Sequence, residues 1–102
     1  MDSGDKDGAT ESWLVRIGGR VQGIGYRDAC VRRARALGIT GWVRNRMDGS
    51  VEAMLQGAPE LLADMCSWLR DGVLAARVNA LEVTQVQLPL PRFEHFDRLP
   101  TL

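Results

Sequence analysis

Hydrophobic and polar positions along the chain switch repeatedly between a two-residue and a longer period. Residues 12–18 alternate Trp13, Val15 and Ile17 with Leu14 and Arg16, the spacing of a strand. From Tyr26 the period lengthens: Tyr26, Ala29, Cys30, Ala34 and Leu37 share one face, and Arg32, Arg33 and Arg35 lie off it. That pattern predicts an amphipathic helix ended by Gly38. Residues 41–45 and 51–56 are two short runs joined around Asp48-Gly49, a hairpin signal, so they are expected to pair antiparallel. Pro59 suits the first turn of a second helix, with Leu61, Leu62, Met65, Trp68 and Leu69 on its buried face and Gly72 near its end. A fourth strand is predicted over residues 80–88, where the apolar phase shifts between Leu81/Val83 and Val86/Leu88 and suggests a bulge. Pro89 and Pro91 then break the chain before a short edge strand near residues 93–99. Residues 1–11 are rich in Gly, Asp, Ser and Thr without periodicity and read as a flexible tail.

The order strand, helix, strand, strand, helix, strand is the split βαβ arrangement of an α+β, ferredoxin-like α/β sandwich. It predicts a four- to five-stranded antiparallel sheet with both helices on one face. At 102 residues the chain has room for one such two-layer core, assigned to residues 12–102, and no second domain.

Charge and composition narrow the function classes. Thirteen basic residues balance thirteen acidic ones, which argues against a general nucleic-acid binder held by phosphate neutralisation. Lys6 is the one lysine, and arginines cluster around residues 16–46. Cys30 and Cys66 fall on separate predicted helices without metal-ligand spacing and are expected to be buried free thiols. His95 is expected at the surface, Trp42 and Trp68 in the core, and Tyr26 packing the loop onto the helix face. No apolar run suits a membrane span and no charged-then-apolar leader is evident, so a cytoplasmic monomer without membrane contact is expected.

The chemistry concentrates between the first strand and the first helix, in Gly19-Arg20-Val21-Gln22-Gly23-Ile24-Gly25-Tyr26-Arg27. Glycines let successive amides turn inward, and a helix N-terminus adds partial positive charge, the ingredients of a phosphate cradle. Arg27 opens the helix and can grip two phosphoryl oxygens with parallel charge-assisted bonds. Downstream come Gly41-Trp42-Val43-Arg44-Asn45 and Asp48-Gly49-Ser50-Val51. Together the two motifs resemble the acylphosphatase family over roughly residues 13–86.

That resemblance implies the same fold, and hydrolysis of a small-molecule acyl phosphate to a carboxylate and inorganic phosphate. It implies phosphate binding by Gly19, Arg20, Val21, Gln22, Gly23, Ile24 and Arg27, with Arg27 and Asn45 catalytic and Asn45 placing the attacking water. Gln22 and Arg20 are expected to serve through their backbone amides. No nucleophile stands in either motif where a covalent intermediate would need it, and no clustered carboxylates are seen that would hold magnesium, so direct attack of water without metal or other cofactor is expected. Plainer accounts exist: a solvated charge for Arg27, and a strand-to-turn asparagine for Asn45. A non-enzymatic anion-binding module is the first rival function. An RNA-binding sheet is the second, against which neither central strand carries paired aromatics. The C-terminal Phe96-Asp97-Arg98-Leu99 departs from the family's pattern, with an arginine where a buried aliphatic is expected.

Overall fold

The computed structural model describes residues 10–87 and 91–102. Seven elements follow in order: β1 (Glu11–Arg20), α1 (Tyr26–Leu37), β2 (Thr40–Asn45), β3 (Val51–Gly57), α2 (Pro59–Asp71), β4 (Arg77–Gln85) and β5 (Phe96–Arg98). The expected tail falls largely on residues 1–9, outside the described residues, and its last member, Glu11, already belongs to β1. One five-stranded sheet runs β4-β1-β3-β2-β5. Both βαβ units are split by an intervening antiparallel strand, as the ferredoxin-like reading requires.

Register sets which side chains meet. On β1, Val15 and Ile17 point to the helices; on β3, Val51, Ala53 and Leu55 do; on β2, Val43 does. These residues meet Tyr26, Cys30 and Ala34 of α1 and Leu62, Met65 and Leu69 of α2, all buried. Each fully buried Leu, Ile or Val contributes about 1.5–3 kcal/mol relative to an exposed position. Along the opposite face, Arg16 pairs with Glu52 and with Glu82, and Arg44 pairs with Glu52. Arg44 Nη2 lies 2.9 Å from Glu52 Oε1. Trp42 also lies on this face, half-buried with the Arg44 guanidinium 4.6 Å from its ring centre. It is therefore outside the core, whereas Trp68 packs against it.

The sheet admits two glycines where no side chain fits. A Cβ on Gly41 would collide with the Met54 carbonyl, and one on Gly19 with the Arg77 carbonyl, both at positive φ. Gly41 keeps β2 tight against β3. Gly19 sits beside a register shift: Gly18 faces Ala80 and Gly19 faces Val78, so Asn79 is the extra residue on β4. This bulge lets Val78 and Leu81, three positions apart, both turn toward the core. The irregularity expected between Val83 and Val86 is thus at the other end of the strand. β4 spans residues 77–85 instead of 80–88 and stays regular from Ala80 to Gln85, and Leu88 lies outside the described residues. β4 is an edge strand, which explains its weak apolar signal.

β5 corrects one more expectation. It is three residues long and runs parallel to β2, so the four long strands are antiparallel and the sheet as a whole is mixed. Gln56 anchors the chain leading to it, accepting from the Phe93 amide at 2.9 Å and donating to Ser12 Oγ at 3.1 Å. His95 is exposed, as expected, and its carbonyl accepts from the Gly41 amide.

Both cysteines are free; Cys30 is fully buried and Cys66 partly so. Burial pushes the Cys30 thiol from its ordinary 9.0 up to about 12. Burial likewise raises the Tyr26 phenol and the Cys66 thiol. A raised folded-state pKa leaves stability intact below the unfolded value and erodes it above, because the unfolded thiol then ionises first. The urea midpoint is therefore expected to fall as pH rises from 9 toward 12, with Cys30→Ala showing a shallower fall across pH 9 to 11. Parallel slopes for the two proteins would contradict that assignment.

Candidate phosphate site

After Arg20 the chain leaves the sheet and turns through Gly23 and Gly25, with φ of 77° and 78°. α1 then begins at Tyr26, and its first internal bond from this end runs from the Ala29 amide to the Gly25 carbonyl at 3.1 Å. Among the described residues, no backbone carbonyl accepts from the amides of residues 22–28. Free amides at a helix N-terminus favour an anion. Tyr26 fixes the helix start: its ring is buried, and its hydroxyl donates to the Leu69 carbonyl at 2.7 Å, satisfying an end group of α2.

Asn45 arrives from β2. Asn45 pairs with Val51, and Val51 pairs with Ile17 on its other side, so the last residue of β2 lies beside the loop that continues from β1. Its Oδ1 is buried and has no hydrogen-bond partner. A buried polar atom left unpaired costs about 1–3 kcal/mol. Asn45 and Arg27 line one cleft of about 230 Å³ with Val21, Gln22, Gly23, Gly25, Tyr26, Asp28 and Arg98. That is room for a phosphate and a water, whose own share of liquid volume is roughly 30 Å³. No carboxylate among the described residues lies within ion-pair distance of Arg27. A larger hollow of about 510 Å³ lies beside Gly38 and His95, but it is shallow and contains no unpaired buried polar atom.

Of the residues expected from the sequence, the cleft gathers Val21, Gln22, Gly23, Arg27 and Asn45. Gly19 and Arg20 lie at the end of β1, opposite Val78 and Arg77, away from the cleft lining. Ile24 packs against the core. Gln22 does more than lend its amide: Nε2 donates to the Arg46 carbonyl at 2.9 Å and the Ser50 carbonyl at 2.8 Å, tying the loop to the β2–β3 hairpin. That hairpin is stiffened in turn by Asp48, whose carboxylate accepts from the Ser50 hydroxyl and amide. Those two bonds, and then the charges of Arg16 and Arg46, hold the Asp48 carboxyl below its ordinary range. Sequence reasoning missed Asp28 and Arg98 as cleft residues. The one signal was the arginine in place of an aliphatic near the C-terminus.

A family model described as Acylphosphatase matches residues 13–97. The chain belongs to the acylphosphatase family. An acylphosphatase from Polaromonas naphthalenivorans (strain CJ2) is 67% identical over 98 residues, covering 96% of this chain and 97% of the relative. The solved structure of an acylphosphatase from Coxiella burnetii matches at a TM-score of 0.84 and 25% identity, covering 91% of this chain and 96% of that one. An acylphosphatase from Bacillus subtilis matches at 0.82 and 28% identity, covering 87% and 98%. These likenesses make the chain an acylphosphatase enzyme whose substrate is a small acyl phosphate, on the ferredoxin-like fold. No helix among the described residues is long and apolar enough to cross a membrane.

In this acylphosphatase the Gln22 tether couples the loop to the strand end carrying Asn45. Gln22→Ala removes one donor from each of two carbonyls, the Arg46 carbonyl keeping the Gly49 amide and the Ser50 carbonyl keeping the Arg46 amide, and is expected to cost about 1 kcal/mol in urea unfolding. It is also expected to lower kcat/KM for benzoyl phosphate about tenfold, because small displacements of positioned groups are expensive in rate. Unchanged kinetics in the folded variant would show that the tether is dispensable.

Proposed function

We propose that the cleft hydrolyses acyl phosphates by direct attack of water on phosphorus, with Arg27 holding the phosphoryl group and Asn45 holding the water. The observation that carries the reading is the buried, unpaired Oδ1 of Asn45 in the same cleft as Arg27 and the glycine loop. The phosphoryl oxygens are received by free amides between Gln22 and Asp28 and by the fork of Arg27. Asn45 Oδ1 accepts a hydrogen bond from the water while its amide can donate to a phosphoryl oxygen.

The water oxygen forms a bond to phosphorus as the bond from phosphorus to the acyl oxygen breaks. The carboxylate leaves with the electron pair and needs no proton, so no general acid is required. The water's proton passes to a phosphoryl oxygen of the substrate, giving dihydrogen phosphate. Fixed amides and one guanidinium supply the charge stabilisation and positioning on which phosphoryl transfer mainly depends. The proposed reaction passes through no phosphorylated enzyme and uses no metal.

Hydrolysis of benzoyl phosphate in the presence of a chelator tests the division of labour. Arg27→Ala is expected to lose inorganic-phosphate binding and turnover together. Asn45→Ala is expected to lose turnover, by roughly a hundredfold or more, while phosphate binding is largely kept. Equal loss of binding in both variants would contradict separate roles. Acid-quenched protein carrying phosphorus label from the substrate would contradict direct attack.

A further inference from the structure

Arg98 enters the phosphate cleft from the sheet edge. On β5, Phe96 lies opposite Gly41 and Arg98 opposite Val43, so both side chains take the helix-facing side. Phe96 fills the core, and Arg98, two residues further, lines the cleft with Arg27 and Asn45. Its Nη1 donates to Asp28 Oδ1 at 2.9 Å. Asp28 is in the first turn of α1 and is the one carboxylate in the cleft lining.

A carboxylate there opposes the cleft's task. The helix N-terminus favours Asp28 when the cleft is empty, but a phosphate dianion beside it is repelled by the like charge. We propose that Arg98 is a positioning residue that acts through Asp28: it neutralises and holds that carboxylate, and thereby sets the affinity of the cleft for phosphate and acyl phosphates. The inference rests on the phosphate reading of the cleft. The Arg98 and Asp28 side chains are 49% and 57% exposed, and an ion pair so solvated adds little to folding stability. Its consequence falls on ligand binding, where a third charge joins the pair.

Arg98→Leu, Asp28→Asn and the double variant can be compared in benzoyl phosphate hydrolysis and in competitive inhibition by inorganic phosphate. Arg98→Leu is expected to raise KM and the phosphate inhibition constant roughly three- to fivefold, the range of an exposed charge interaction. Its kcat is expected to stay within about twofold, since a residue acting through the Asp28 carboxylate changes binding of the phosphoryl group in ground state and transition state alike. Asp28→Asn binds phosphate at least as tightly as wild type, and the double variant returns to the Asp28→Asn value. A double variant as weak as Arg98→Leu overturns the inference, because a residue that merely holds β5, or touches phosphate itself, is not rescued by removing Asp28. Equal KM in Arg98→Leu and wild type overturns it as well. Failure of phosphate to bind wild type at all removes the cleft reading, a result distinct from unaltered binding across the variants.

Discussion

The pairing of Val51 with Ile17 on one side and Asn45 on the other is the constraint on which the rest depends. β3 can occupy that central position because the Asp48-Gly49 turn returns it against β2 and because its alternating Val51, Ala53 and Leu55 fit the helices above. One row of the sheet then carries the end of β1 and the end of β2 to the same edge. The glycine loop and Asn45 lie far apart along the chain and are adjacent only through this register. A slip of one residue would turn Asn45 to the other face with its neighbours.

The site is built from hydrogen-bonding groups that the fold leaves unspent. The loop amides and the Asn45 oxygen have no internal partners, in a protein whose other buried side-chain polar atoms among the described residues are satisfied. The buried Asn45 oxygen destabilises the free enzyme and becomes favourable only when something else completes it. Their rigidity comes from elsewhere: Tyr26 is fixed to the Leu69 carbonyl, and Gln22 to two carbonyls of the hairpin. In the proposed reaction the core thus holds the donors in place, at little cost in reorganisation, for an entering phosphoryl group.

How much was legible in the sequence follows from how local each signal is. α1, α2 and the hairpin were readable because periodicity, Pro59, Gly38 and Asp48-Gly49 act within a few residues. Arg27 and Asn45 were readable as a pair through the family resemblance, and the register brings them to one cleft. β4 was misplaced because an edge strand with a bulge at Asn79 shows little alternation, and its true start at Arg77 precedes any apolar run. The parallel pairing of β5 depends on where the chain returns, which three residues cannot announce. Gln22 was undervalued because its side-chain partners, Arg46 and Ser50, lie in another element. Asp28 and Arg98 are 70 residues apart, and no spacing rule joins them.

The central claim is that an anion completes the loop amides and the Asn45 carboxamide in one place. The most direct measurement is a crystal structure of the wild-type protein with orthophosphate. The account predicts phosphate oxygens within hydrogen-bond distance of amides between Gln22 and Asp28 and of the Arg27 guanidinium, with Asn45 Oδ1 receiving an ordered water. Phosphate bound elsewhere, with the Asn45 oxygen still unpaired, would contradict it.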